Sequence, residues 1–182
     1  EIFINVHYKS DQIISYLKNL NNPKIKISDE TDCLLDTGGG VKKIMDENSL
    51  EQAFILNCDN LWDNKDIILL RKMIESFPKD ANSFLGLTPI ELVSGYDGKG
   101  DFSFINDKNI RRFDNTKDNS YVFNGAQIIK RKAFEDIKDI VFSINIVWDN
   151  LILKKLIKGY KFKKKVLHLG TTDALRNYKK II

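Results

Sequence analysis

Leu35-Asp36-Thr37-Gly38-Gly39-Gly40-Val41, followed by Phe54-Ile55-Leu56-Asn57-Cys58-Asp59, is the passage on which the fold turns. The first piece reads as a glycine loop opening a helix. Glycines let backbone approach a flat ring or a phosphate, and helix-opening N–H groups can face an acceptor. The plainer reading is a tight turn, but three consecutive glycines exceed what a turn needs. The second piece reads as a buried apolar strand ending in a carboxylate. Asp59 there either makes an Asx turn or holds Mg²⁺ against phosphates, since Mg²⁺ commonly takes one or two carboxylates and keeps several waters.

Working outward, Ile2 to Val6 is strand-like, and Ser10 opens a helix with Ile13, Ile14, Leu17 and Leu20 on one face. Asn21-Asn22-Pro23 ends that helix, and Lys24 to Ser28 alternates as a half-buried strand does. Asn64 is placed to cap a helix with Ile67, Leu70, Ile74 and Phe77 in one stripe, and Ser83 to Leu87 follows as a strand. Strand and helix alternate to this point, which predicts an α/β fold with a largely parallel sheet and helices on its faces. The second half changes character. Phe102 to Ile105 and Ile110 to Phe113 flank a hairpin turn, and Tyr121 to Phe123 with Ala126 to Ile129 predict a second strand pair about Asn124-Gly125. A helix is expected from Val147 to Lys158, an extended segment from Tyr160 to Leu167, and a last helix capped by Thr171 or Thr172.

The chain has 182 residues, 42% hydrophobic and 30% charged, with net charge +4. One globular domain, residues 1–182, is the expectation. The lysine runs are ordinary solvated faces, so no nucleic-acid partner is expected. No apolar stretch reaches the ~18 residues of a membrane span, and Cys33 and Cys58 read as reduced cytosolic thiols, giving a cytoplasmic location. The chain opens directly in a strand, which leads us to expect a segment upstream of Glu1.

Ligands of open α/β sheets sit beyond the carboxyl ends of strands. His7-Tyr8, Asn57-Cys58-Asp59 and Asn124-Gly125 fall at such ends. Gly98-Lys99-Gly100-Asp101-Phe102 precedes a hairpin, not a helix, so it reads as a turn or a sugar-contacting loop. Trp148 reads as core. His7 and His168 lack zinc spacing, and no GxSxG elbow is present.

Taken in order, Val6-His7, Leu34 to Gly40, Leu56 to Asp59, Gly100 to Phe102, Val122 to Ile129, Trp148-Asp149 and His168 to Leu175 resemble the sugar-1-phosphate nucleotidyltransferases. The nearest branch is the N-acetylmuramate-1-phosphate uridylyltransferase and mannose-1-phosphate guanylyltransferase-like one. The resemblance covers nearly the whole chain. It implies a Rossmann-like nucleotidyltransferase fold, a role in nucleotide-sugar biosynthesis for the cell wall, and transfer of NMP from UTP or GTP to a sugar-1-phosphate with release of pyrophosphate. It implies Thr37, Gly38, Gly39 and Asn57 at the nucleotide, Asp59 on Mg²⁺, and Gly100, Asp101, Asn124 and Gly125 at the sugar. His168 falls at a second metal-site position, where many members carry Asp. The family opens with a strand, a Gly-x-Gly-x-Arg loop and a Pro-Lys-Pro segment, and these 182 residues contain no such motif. The catalytic Arg and Lys are therefore not assignable here.

Three readings follow. One is a nucleotidyltransferase whose N-terminal segment is supplied separately. The second is an inactive remnant that binds a nucleotide sugar or a partner protein, with a sheet edge open to strand pairing or homodimerisation. The third, a glycosyltransferase with a DxD element, is disfavoured by Asp59-Asn60-Leu61.

Overall fold

The computed structural model describes residues 1–114 and 119–179, without the side chains of residues 177 and 179. By internal contact the chain forms two compact units, Glu1–Gln52 with Arg131–Asn150, and Ala53–Lys130 with Leu151–Ile182.

In the first unit, β1 (Ile2–Val6) and β2 (Ile25–Asp29) pair in parallel, in register from Ile2↔Ile25 to Val6↔Asp29. The helix α1 (Ser10–Asn19) connects them. Ser10 does not cap it; the side chain is buried and its Oγ accepts from Thr31 Oγ1 at 3.1 Å. Only Ile14 and Leu17 of the expected stripe are half-buried, while Ile13 and Leu20 stay exposed. The glycine segment becomes the first turns of α2 (Asp36–Glu47), with Gly38, Gly39, Gly40, Ile44 and Met45 buried.

The end of α2 is tied down from far along the chain. Arg131 Nε donates to the Leu50 carbonyl and Nη2 to the Met45 carbonyl, both at 3.0 Å. A cation on the last carbonyls of a helix also meets the negative end of its dipole.

Gly38 shows why glycine is needed in α2. A Cβ there would overlap the Phe142 ring and lie 2.9 Å from its carbonyl oxygen. In an open helix Gly→Ala gains about 1 kcal/mol. Here we expect the sign to reverse, with Gly38→Ala costing about 1–3 kcal/mol through overpacking, read as a lower urea midpoint.

In the second unit the strand order is β7-β6-β8-β4-β9, with β3 also on β8. These strands are β3 (Gln52–Leu56), β4 (Ser83–Pro89), β6 (Phe102–Phe104), β7 (Ile110–Arg112), β8 (Tyr121–Lys130) and β9 (Ile157–Lys161). A short parallel pair joins β5 (Val93–Ser94) to β10 (Val166–Leu167). The helices are α3 (Asp66–Glu75) and α5 (Thr172–Lys179), and α4 (Ile144–Leu153) spans the boundary of the units in sequence. A core of Leu70, Met73, Phe84, Ala126, Ile128 and Phe162 holds α3 against the sheet.

The fold is α/β, as expected, but its largest sheet is more antiparallel than the alternation of the first half suggested. β4 pairs with β9 in parallel and with β8 antiparallel; β6 is antiparallel to both β7 and β8. The expected hairpin is β6–β7. The expected second strand pair is instead one continuous strand, β8. Asn124-Gly125 forms a bulge there, marked by a register shift opposite Leu85 and Leu87 and by a positive φ of 85° at Gly125. β3 is also less buried than its apolar run implied, since Phe54 and Leu56 remain exposed.

Candidate functional site

The glycine segment belongs to the first unit. Asp36 turns the chain into α2 with φ 60°, and the Thr37 N–H donates to Asp36 Oδ1 at 2.5 Å. The N–H groups of Gly38 and Gly39 both donate to the Phe142 carbonyl, at 3.0 and 3.1 Å. Thr37 Oγ1 accepts from the Ile144 N–H at 3.0 Å, which leaves its hydroxyl hydrogen available. The two glycine donors assigned to a base by sequence are therefore engaged within the protein. Behind them, Gly40 sits against the buried Glu30, whose Oε1 accepts from Nδ2 of the exposed Asn5. His7 Nδ1 lies 2.7 Å from the Glu30 carbonyl, a contact that orients its ring.

The carboxylate end of β3 belongs to the second unit, where the chain brings several candidates together. The β8 bulge sets their positions. Asn124, 1% exposed, donates from Nδ2 to Thr88 Oγ1 at 3.2 Å and accepts the Ala126 N–H at 3.2 Å. Its amide holds the bulge. The bulged Gly125 carbonyl accepts the Asn57 N–H at 2.9 Å. A Cβ on Gly125 would fall 2.5 Å from Asn60 Nδ2 and 3.0 Å from Asn57 Cβ, so glycine is required on both conformational and steric grounds.

From the other side, β10 leads into His168. The Leu61 N–H donates to the Leu167 carbonyl at 3.0 Å, and the Leu169 N–H to the Asp59 carbonyl at 2.6 Å. Asn60 and His168 thus form an antiparallel bridge. Their side chains meet too. Asn60 Nδ2 donates to Asp59 Oδ1 at 3.3 Å, and His168 Nδ1 lies 3.2 Å from Asn60 Oδ1 and 3.9 Å from Asp59 Oδ2. Asn57, Asp59, Asn60, Gly125 and His168 form one cluster. Sequence reading singled out all but Asn60, whose only signal was a polar residue directly after the strand-end carboxylate.

Gly100 and Asp101 form a separate brace. Asp101 Oδ1 accepts from Tyr96 Oη at 3.0 Å and Oδ2 from the Phe123 N–H at 2.8 Å. Gly100 adopts φ 110°, and a Cβ there would overlap Ser120 Oγ. Both Asp101 oxygens are engaged in holding the loop, so its first task is positional. Sequence reading missed Tyr96. Burial, then the Asp101 charge and hydrogen bond, push the Tyr96 hydroxyl from 10.0 up to about 12. The folded state therefore favours the protonated phenol. Stability contributed by this group is complete below pH 10 and is lost as pH rises toward 12. We expect Tyr96→Phe to flatten the alkaline fall in stability measured by urea melts between pH 9 and about 12.

Among the described residues, no group of three or more His, Cys, Asp or Glu side chains gathers as a metal centre. Asp59 is partly exposed and supplies one carboxylate, which suits Mg²⁺ with waters and phosphates completing its shell. His168 does not suit Mg²⁺, because an imidazole is a poor ligand for so hard a cation. No helix among the described residues is long and apolar enough to cross a membrane.

No family model matches the chain. Among curated proteins, N-acetylmuramate alpha-1-phosphate uridylyltransferase of Caulobacter vibrioides is 26% identical over 176 residues, covering 94% of this chain and 73% of that protein. Among solved structures, HddC from Yersinia pseudotuberculosis in complex with GMP-PN matches with a TM-score of 0.67 and 19% identity, over 100% of this chain and 79% of that one. The inositol-1-phosphate CTP transferase from T. maritima matches with a TM-score of 0.69 and 15% identity, over 97% and 73% respectively. At these identities the two structures show that the fold is shared.

Proposed function

Because the chain is a sugar-1-phosphate nucleotidyltransferase-like protein, we propose that it transfers NMP from UTP or GTP to a sugar-1-phosphate. An oxygen of the sugar phosphate attacks the α-phosphorus, and pyrophosphate leaves. Such a reaction asks the protein mainly for positioning and charge neutralisation. The observation that supports this reading is the cluster at the end of β3, where Asp59 and Asn60 meet His168 and the Gly125 bulge.

In this reading Asp59 holds Mg²⁺, which when bound would neutralise phosphate charge. Asn60 keeps the Asp59 carboxylate oriented. In the second unit Asn57 serves the nucleotide. Taken by itself, the first unit carries Thr37 on the segment shaped by Gly38 and Gly39, and its hydroxyl is the nucleotide-directed group there. Gly100, Asp101, Asn124 and Gly125 shape the sugar side, Asp101 through Tyr96 and Asn124 through the bulge. The setting is the cytoplasm, and the product is a nucleotide sugar for the cell wall. A separate N-terminal segment is part of the same proposal as the source of the cationic phosphate grip, and a second copy of the chain is the other partner proposed.

The test is release of pyrophosphate from UTP or GTP with muramate- or mannose-1-phosphate and Mg²⁺. It is run with and without a peptide carrying a Gly-x-Gly-x-Arg strand and loop. Release in either arm supports the reading; its absence from both overturns it. A second reading, binding of a nucleotide sugar without turnover, goes with these 182 residues carrying no Gly-x-Gly-x-Arg motif of their own. Calorimetric binding of UDP- or GDP-sugars without turnover would identify that case.

A further inference from the structure

We propose that this chain pairs with a second copy of itself, the acidic, apolar face of the first unit in one copy docking on the lysine-flanked start of α3 in the second unit of the other. This gives the second copy proposed above a surface, and it does not depend on transferase activity.

Charge is divided unevenly along the chain. The first unit holds 9 Lys and Arg against 13 Asp and Glu, net −4, and the second holds 20 against 12, net +8, which together make the chain's +4. Opposite fields carried by one chain attract a second copy and orient it before contact.

In the first unit the patch is built on two segments. The Phe142 N–H donates to the Leu35 carbonyl at 3.2 Å and holds them side by side. Leu34, Ile140 and Val141 on these segments are 55%, 75% and 52% exposed. Apolar groups rimmed by charge in this way mark interaction surfaces. Beside them opens a cavity of about 420 Å³ whose lining includes Asp32, Leu35, Glu47, Asp139 and Ile140. The side chains of Asp32 and Asp139 are exposed and have no partner among the described residues.

In the second unit, exposure alternates after β9. Lys161, Lys163 and Lys165 face solvent, while Phe162 and Val166 are buried. Lys164 turns in to pair with Asp66, the first residue of α3. Lys163 and Lys165 therefore flank the loop's contact with that helix end, and neither has a partner among the described residues. The next two residues of the helix, Ile67 and Ile68, are exposed. One surface is thus apolar with anions at its margin, and the other apolar with cations at its margin. Both stay open in the whole chain, so neither is consumed within it.

When a twofold axis relates two copies, each contact is made twice. Ile140 and its neighbours meet Ile67 and Ile68, and Asp32 and Asp139 meet Lys163 and Lys165. Exposed ion pairs add little affinity singly, so apolar contact carries the binding and charge selects the partner.

The experiment is sedimentation velocity of the whole chain over a concentration series, at about 0.1 M and about 1 M salt. We expect a monomer–dimer equilibrium that weakens at the higher salt. Asp139→Lys and Lys163→Glu should each weaken it by about tenfold or more, because each reverses a pair that the twofold repeats. An equimolar mixture of these two variants should recover the wild-type constant, since the reversed charges are again opposite. Ile140→Asp should abolish the dimer. All three positions are exposed, and circular dichroism verifies each fold. A chain that is monomeric throughout, a dimer indifferent to the charge reversals, or a mixture that fails to recover overturns the proposal. A monomer that carries nucleic acid on its lysines overturns it too. A dimer that releases no pyrophosphate would sink the transferase reading and leave the pairing in place; activity from a strict monomer would do the reverse.

Discussion

Asp59→Asn is expected to lower nucleotidyl transfer by about 10²–10³-fold while leaving the fold in place. The substitution keeps the shape of the side chain, and the new amide oxygen can still accept from Asn60. What is lost is the negative charge that holds a divalent cation. Removing one preorganised electrostatic contact at a reacting centre costs about 3–4 kcal/mol in rate terms. Stability should change by no more than about 0.5 kcal/mol, since Asp59 is partly exposed and substitutions at such positions are mild. Pyrophosphate release and a thermal melt on the same preparation separate the two quantities. If the variant retains more than about a third of the activity, Asp59 is not the metal-holding group that the nucleotidyltransferase reading requires. Where turnover needs a supplied segment, divalent-dependent binding of UTP or GTP gives the same comparison.

Phe84→Ala is expected to cost about 3–5 kcal/mol, the largest stability effect in the molecule. Phe84 is fully buried in β4. Its ring stacks on Phe77 and meets Tyr160 edge-on, with centroids 5.9 Å away in both cases. The neighbouring strand and helix are held by their own backbone bonds, so they cannot collapse to fill the vacated space. At about 2–4 °C per kcal/mol for a chain of this size, the melting temperature should fall by about 6–20 °C. A fall of less than about 3 °C would mean that the sheet relaxes around the cavity.

The elements that sequence identified were those whose signals are local. β1, β2, β4 and the β6–β7 hairpin show periodicity and turn chemistry within a few residues. The last helix is capped by Thr171, whose Oγ1 accepts the Ala174 N–H at 3.1 Å. The misreadings came from residues whose partners are distant. Asn124-Gly125 carries a strong turn signal, but the Asn124 amide bonds Thr88 on another strand and the pair becomes a bulge. The helix expected to reach Lys158 stops at Leu153, because Ile157–Lys161 pairs along β4. Asn64 is the expected cap of α3, yet no side chain at the N-cap position, Lys65, caps it; Asp63 Oδ1 instead accepts the Lys65 and Asp66 N–H groups, at 2.7 and 3.2 Å.

The candidate site divides along the same line. Asp59, Asn57, Gly125 and His168 were legible because strand ends are where α/β proteins place their chemistry. The commitments of Gly38, Gly39 and Asp101 were not legible. Their partners Phe142 and Phe123 contribute backbone atoms, which no side-chain pattern announces.

The tie between Arg131 and the end of α2 has a consequence for synthesis on the ribosome. The first unit is discontinuous: α2 gains its Arg131 and Phe142 contacts only after the residues from 53 to 130 have been made. At about 5–20 residues per second, that interval is roughly 4–16 s. During it the glycine turns of the nascent helix lack their acceptor, and the β1–β2 pair waits for closure. Most strands of the second unit emerge in the meantime. The first unit therefore stays unfinished through that window, with the apolar surface that Arg131 to Asn150 later covers still open to solvent.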